Sequence, residues 1–150
     1  MEATQQKIGN AILVRSLEEI RKESGGILRP ADVVRVAEAE DHPLHSAFEW
    51  DDTEAAREYR LNQARHLIKV AVMVMPQTEE PYQVYVSMRA DREGEGGGYR
   101  RVVDVLSREQ SRTHLLEEAM RDLEYWQRKY AMLTELAGVF DAIKKARTKR

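Results

Sequence analysis

The chain has 150 residues, 24 Lys/Arg against 26 Asp/Glu for a net charge of −2, and no cysteine. That length suits one domain with an appended element and can bury a core without staples. The missing cysteines exclude disulfides, thiolate metal sites and cysteine nucleophiles, and suit a reducing compartment.

The opening stretch MEATQQKIGNAILVRSLEEIRKE lacks the basic flank and apolar core of a signal peptide. No apolar run approaches the roughly 18 residues of a membrane span. A soluble protein of the cytoplasm, without membrane contact, is therefore expected. Charge is divided unevenly: residues 1–107 carry 14 Lys/Arg against 19 Asp/Glu, whereas residues 108–150 carry 10 against 7. The C-terminus is thus the basic end, with Lys144, Lys145, Arg147, Lys149 and Arg150 able either to hold phosphates or to serve as a solvated complement to a helix dipole.

In chain order, Ile8, Ile12 or Leu13, Leu17 and Ile20 predict an amphipathic helix that stops at Ser24-Gly25-Gly26, where glycine can take the left-handed conformation. Pro30 suits the first turn of a second short helix carrying Val33, Val34, Val36 and Ala37, which gives out in the acidic run to Asp41 before His42-Pro43. Leu44, Phe48 and Trp50 are predicted plugs for the N-terminal core, with Trp50 as an anchor candidate. Asp51, with Glu54 three residues on, forms a capping-box pattern opening a third helix. Ala55, Ala56, Tyr59, Ala64, Leu67 and Ile68 can make its buried face, and Arg57, Arg60, Asn62, Gln63 and Arg65 its polar one.

At Ile68 the β-branched run IKVAVMVM predicts a strand ending at Pro76, in which Met73 and Met75 read as core filler. YQVYVSMRA reads as a second strand and YRRVVDVL, after the glycine-rich connection at residues 93–98, as a third. Beyond Ser107, with Gln110 in the capping-box position, an apolar seam runs through Leu116, Ala119, Leu123, Trp126, Tyr130, Leu133, Ala137 and Phe140. These steps of three and four predict one long helix, widened by Met120, Leu136, Val139 and Ile143. Unbroken from 108 to 146 it would span about 58 Å at 1.5 Å per residue, more than so small a domain can cover. The seam therefore predicts a coiled-coil-like homo-oligomer, with Gly138 as a point of weakness.

The fold class predicted is α+β. It comprises a helical module over 1–67, a three-stranded antiparallel meander over 68–106 and a long oligomerising helix with a basic tail over 107–150, all one cooperative domain.

Chemistry is sparse in this pattern. His42-x-x-His45 with Glu38, Glu40, Asp41 and Glu49 nearby straddles a proline break, so no helix fixes a metal-binding geometry. Asp51 and Asp52 are adjacent at a helix start, where capping accounts for them better than acid–base work. The glycine-rich stretch lacks the Lys-Ser or Lys-Thr of a phosphate loop, and His66 and His114 have no partner at triad spacing. No catalytic residue, metal or cofactor is expected. The helix over 30–39, a turn and a helical turn from Pro43 have helix-turn-helix spacing, but Glu49, Asp51 and Asp52 would repel phosphates from that second element. The 52–67 helix, with Arg57, Arg60, Asn62, Gln63 and Arg65, is the better reader of DNA.

The string PLHSAFEWDDTEAAREYRLNQARHLI, followed by GGGYRRVVDVLS and EYWQRKYAMLTELAGVFDAI, resembles small proteins encoded by tailed phages and prophages across most of residues 25–143. The resemblance implies viral DNA transactions in the host cytoplasm. A helical module joined to an oligomerising stalk is also similar in layout to small terminase subunits. Two functions are thus expected in competition. One is a non-enzymatic oligomer that associates with nucleic acid, DNA before RNA, through the 52–67 helix and the basic tail. The other is an adaptor or inhibitor that binds a host or viral protein.

Overall fold

The computed structural model describes residues 8–50, 53–93 and 97–149. The chain forms two compact units, Met1–Asp104 and Val105–Arg150. Among the described residues no helix is long and apolar enough to cross a membrane.

In the first unit, α1 (Asn10–Glu23) forms because Leu13, Leu17 and Ile20 recur on one side and are buried together. It ends as the glycines predict. Gly25 and Gly26 have φ of 75° and 98°, and the Gly26 N–H donates to the Arg21 carbonyl at 2.9 Å, the long bond of a Schellman motif. Leu28 then exchanges two backbone hydrogen bonds with Tyr99, at 2.9 and 2.8 Å. Pro30 opens α2 (Pro30–Ala37), which buries Val33 and Ala37. A single 3₁₀ turn, His45–Ala47, lies between Leu44 and Phe48, both buried in the core. The next helix, α3 (Glu54–Val70), packs chiefly on α2. Thr53 is its cap, its hydroxyl accepting from Ala56 N–H at 3.2 Å. Asp51 and Asp52 lie outside the described residues, as does the side chain of Glu54.

The strands depart from expectation. Helix α3 continues to Val70, and β1 is only Val72–Val74. Ala64 and Ile68, four apart on α3, are both buried, so tertiary burial overrides the β propensity of Ile68. The segment β2 (Pro81–Gln83) pairs with β1, while β3 (Tyr85–Val86) pairs with β4 (Arg100–Arg101), both antiparallel. The result is two two-stranded sheets, not one three-stranded meander. Val84 joins them: its N–H donates to Ala71 at 3.2 Å and its carbonyl accepts from Val102 N–H at 2.8 Å. The third expected strand is therefore cut to Arg100–Arg101, and Val102–Leu106 coils into α4. Helices and strands of this unit share one core, from Leu13, Leu17 and Ile20 through Val33 and Ile68 to Tyr85 and Tyr99. Tyr59 and Met73, expected inside, are exposed.

The second unit overturns the single long helix. After α5 (Glu109–Lys129) the chain makes two successive tight turns, Leu133 N–H to Tyr130 O and Leu136 N–H to Leu133 O, each at 3.0 Å. A 3₁₀ turn at Thr134–Leu136 leads into α6 (Ala137–Thr148). That helix runs back along α5: Phe140 meets Trp126 edge-on with ring centroids 5.6 Å apart, and Arg147 pairs with Glu124 at 3.0 Å. The seam closes partly on itself. Met120 and Ile143 are buried, and the fold-back brings Phe140 onto Trp126, an aromatic contact that a continuous rod would leave to a neighbour. Gly138 sits in α6 with open space where a side chain would be.

Candidate nucleic-acid interface

Helix α3 presents polar side chains on more than one side, and the five nominated from sequence do not act as a group. At about 100° per residue, Arg57, Arg60 and Gln63 follow one line and Asn62 and Arg65 another. The first line is largely used to close the fold. The Arg60 guanidinium donates to the Glu49 carbonyl at 3.0 Å and lies over the Trp50 ring, 5.5 Å from its centre. Gln63 Oε1 accepts from the Glu49 N–H at 3.2 Å. Trp50 in turn donates its indole N–H to the His45 carbonyl at 2.9 Å and stacks on the His45 ring at 4.9 Å. Its indole thus contacts the imidazole, the guanidinium and the Phe48 ring, and clasps the 45–50 segment onto α3. Trp50 is an internal anchor here. Arg57 is exposed at the start of the helix.

The second line faces outward. Tyr59, Asn62, His66 and Lys69 fall at steps of three, four and three, and all four are exposed. Arg65 stands beside them, its guanidinium donating to Asn62 Oδ1 at 2.7 Å. Glu58 is the acidic neighbour. Sequence reasoning put Tyr59 in the core and passed over His66 and Lys69; continuing the period of three to four from Asn62 would have found them. Their opposite face, Ala64 and Ile68, is buried against the core, so the outward stripe rides on a fixed scaffold.

The basic tail belongs to the other unit. Lys144, Lys145 and Lys149 are exposed, Arg147 is paired with Glu124, and Arg150 lies outside the described residues.

The histidines near the proline break serve the local turn. His42 Nδ1 accepts from the Leu44 N–H at 3.2 Å. His45 Nδ1 lies 2.9 Å from the Ala37 carbonyl, which can only accept, so this nitrogen carries the proton. Among the described residues no three His, Asp or Glu side chains gather as a metal site would require.

Comparison with protein-family models, curated proteins and solved structures found no match. The residues themselves therefore carry the functional argument.

One polar cluster was invisible in the sequence. Glu18 takes a two-pronged hydrogen bond from Arg21, at 3.0 Å for each prong, and a 2.8 Å bond from the hydroxyl of Tyr85. Arg101 approaches the same carboxylate at 3.7 Å, and Asp104 lies 3.9 Å from Arg21. Burial opposes the charge on Glu18, but the bonds from Arg21 and Tyr85 and the positive charges of Arg21 and Arg101 outweigh it and hold its pKa below 4.5. Burial first, and then the bond to Glu18, push the Tyr85 phenol far above its ordinary 10. A neutral phenol donating to a fixed carboxylate, inside a set of ion pairs, ties α1 to the β3–β4 ribbon. Glu18 and Arg21 are an i,i+3 pair on α1, but no spacing rule links that pair to Tyr85, Arg101 and Asp104.

Proposed function

We propose that this chain is a non-enzymatic protein that associates with nucleic acid through the outward stripe of α3, in the phage or prophage setting its resemblance implies. The reading rests on one observation. Tyr59, Asn62, His66 and Lys69, with Arg65 adjacent, lie exposed along one side of a helix whose other side is locked into the core. Amide and cationic side chains are the types that bond base edges and phosphates, and tyrosine can stack or bond a phosphate. An exposed α-helix face fits the major groove of B-form DNA and not the deep, narrow groove of A-form RNA, so duplex DNA is the favoured ligand. Lys144, Lys145, Arg147, Lys149 and Arg150 supply a second basic patch on the same chain, and two linked weak contacts gain from effective concentration.

Fluorescence anisotropy with a labelled duplex of about two helical turns, titrated at several salt concentrations, tests the proposal. Arg65→Ala and Lys69→Ala should each weaken binding and reduce the slope of log K against log salt by about 1. No binding at low salt overturns it.

A second reading, a module that binds a host or viral protein, draws on a different feature. Val70, Met73 and Val74 are exposed together at the end of α3 and on β1, an apolar patch of the kind that protein partners cover. Such binding would hardly respond to salt, which separates the two readings in one titration.

A further inference from the structure

On the outward stripe of α3 one hydrogen bond decides which chemistry is left for a ligand. Arg65 carries only donors, so the atom of Asn62 that it reaches at 2.7 Å is the side-chain carbonyl oxygen, Oδ1. That bond commits the acceptor end of the Asn62 amide. Nδ2, which only donates, has no acceptor among the described residues, and Arg65 keeps the rest of its N–H fork. Lys69, one turn beyond Arg65 and exposed, adds an ammonium that also only donates. At about 100° per residue, Asn62, Arg65 and Lys69 fall within an arc of about 60°. The exposed Glu58 lies in the same arc, about 6 Å toward the N-terminus from Asn62. Tyr59 and His66, on the other flank of Asn62, can each donate or accept and leave this bias unchanged. The stripe thus offers donors from 62 to 69 and a carboxylate acceptor at its start.

We infer that this array reads guanine in the major groove of duplex DNA, with a neighbouring cytosine facing Glu58. The inference rests on the nucleic-acid reading of α3 and names what that site recognises. A free asparagine amide matches adenine, because it accepts from N6 while donating to N7. Asn62 has its oxygen engaged by Arg65, so adenine would bring its amino group against a donor and leave both unsatisfied. Guanine presents two acceptors, O6 and N7, which Asn62 Nδ2 and the Arg65 fork both suit. Cytosine presents the N4 amino group, for which a carboxylate is the matching acceptor. Across a G·C pair the groove shows two acceptors and then a donor; the stripe shows two donors and then an acceptor. Across an A·T pair acceptor and donor alternate and the series ends in a methyl group. Glu58 opposes a polyanion where it faces phosphates, whereas facing an amino group it contributes to binding.

Fluorescence anisotropy of the full chain tests this with labelled duplexes of equal length whose central pairs are A·T, G·C, inosine·C, or G·C with 7-deazaguanine. Inosine keeps O6 and N7 of guanine and lacks its minor-groove amino group; 7-deazaguanine lacks N7. The G·C and inosine·C duplexes should bind alike and about 10-fold tighter than A·T, within the range for one good bidentate pair. Replacement by 7-deazaguanine should remove most of that margin. Arg65→Lys keeps the charge, and with it the salt dependence, but loses the fork, so it should bind every duplex with nearly equal affinity. Binding without a margin between G·C and A·T overturns the inference and leaves association with DNA standing. So does a margin that disappears with inosine, which would put recognition in the minor groove, or one that survives Arg65→Lys. No binding to any of the duplexes overturns the nucleic-acid reading and this inference together.

Discussion

The hydroxyl of Tyr85 donates to the carboxylate of Glu18 at 2.8 Å, joining positions 67 residues apart beneath the surface of the first unit. Tyr85→Phe removes the bond and leaves Glu18 with Arg21 and Arg101 alone. Urea unfolding should show a loss of about 1.5–3 kcal/mol, the range for a hydrogen bond to a charged group. Phenylalanine fills the same volume, so a loss beyond about 4 kcal/mol would point to packing instead.

The depressed pKa of Glu18 predicts the pH dependence. A carboxyl whose folded value lies below its unfolded value stabilises the fold above the unfolded pKa, and that stability is lost as pH falls through the folded one. For Glu18 the loss sets in below pH 4.5 and is absent at neutral pH. Glu18→Gln should therefore flatten the acid limb of the stability curve, measured as thermal midpoints from pH 7 down to the onset of acid unfolding. An unchanged acid limb would contradict the assignment.

Arg60 and Lys69 share a helix but differ in role. Arg60→Ala removes the bond to Glu49 and the ring contact with Trp50, and should cost about 1–2 kcal/mol in denaturant unfolding. Lys69, exposed on the outward side, should move stability by no more than about 0.5 kcal/mol when changed to Ala. Only the second substitution should reduce DNA affinity without a matching loss of stability.

Gly98 is a close-approach glycine. A Cβ built there would meet Ile27 Cγ2 at 2.7 Å, so Gly98→Ala should destabilise by about 1–3 kcal/mol. Ile27→Ala removes that methyl group. In its background the Gly98→Ala penalty should shrink by more than about 0.5 kcal/mol, the signature of coupled neighbours in a double-mutant cycle.

Glu79 occupies the left-handed region, φ 56°, in the turn between β1 and β2. Glu79→Asn, a residue that tolerates this conformation, should raise stability by about 0.5–1 kcal/mol. A decrease would show that the glutamate side chain contributes more than its backbone conformation costs.

Local chemistry was legible where one residue type has one dominant use. Gly25-Gly26 ended α1, Pro30 began α2, and Leu44 and Phe48 filled the core. The same logic misled where propensity met burial: Ile68 is β-branched, yet with Ala64 it lies on the buried side of α3. It misled again at Tyr130–Leu133, where no proline or glycine marks the turn. Spacing of three and four describes Trp126, Tyr130 and Phe140 equally well as a continuous seam or as two helices folded together. For the candidate interface, residue types alone pooled Arg57, Arg60 and Gln63 with Asn62 and Arg65. Only their partners separate a clasp on Glu49 and Trp50 from an outward-facing stripe.

By itself, then, the order of residues determined the mixed α+β class, the helical entry module and the basic end, because these follow from period, capping and net charge within a few residues of each other. Tertiary structure decided the rest: which strands pair, that the terminal helix doubles back, and that Glu18 meets Tyr85. Each of those outcomes depends on competition between distant surfaces for burial, and that competition has no local signature to read.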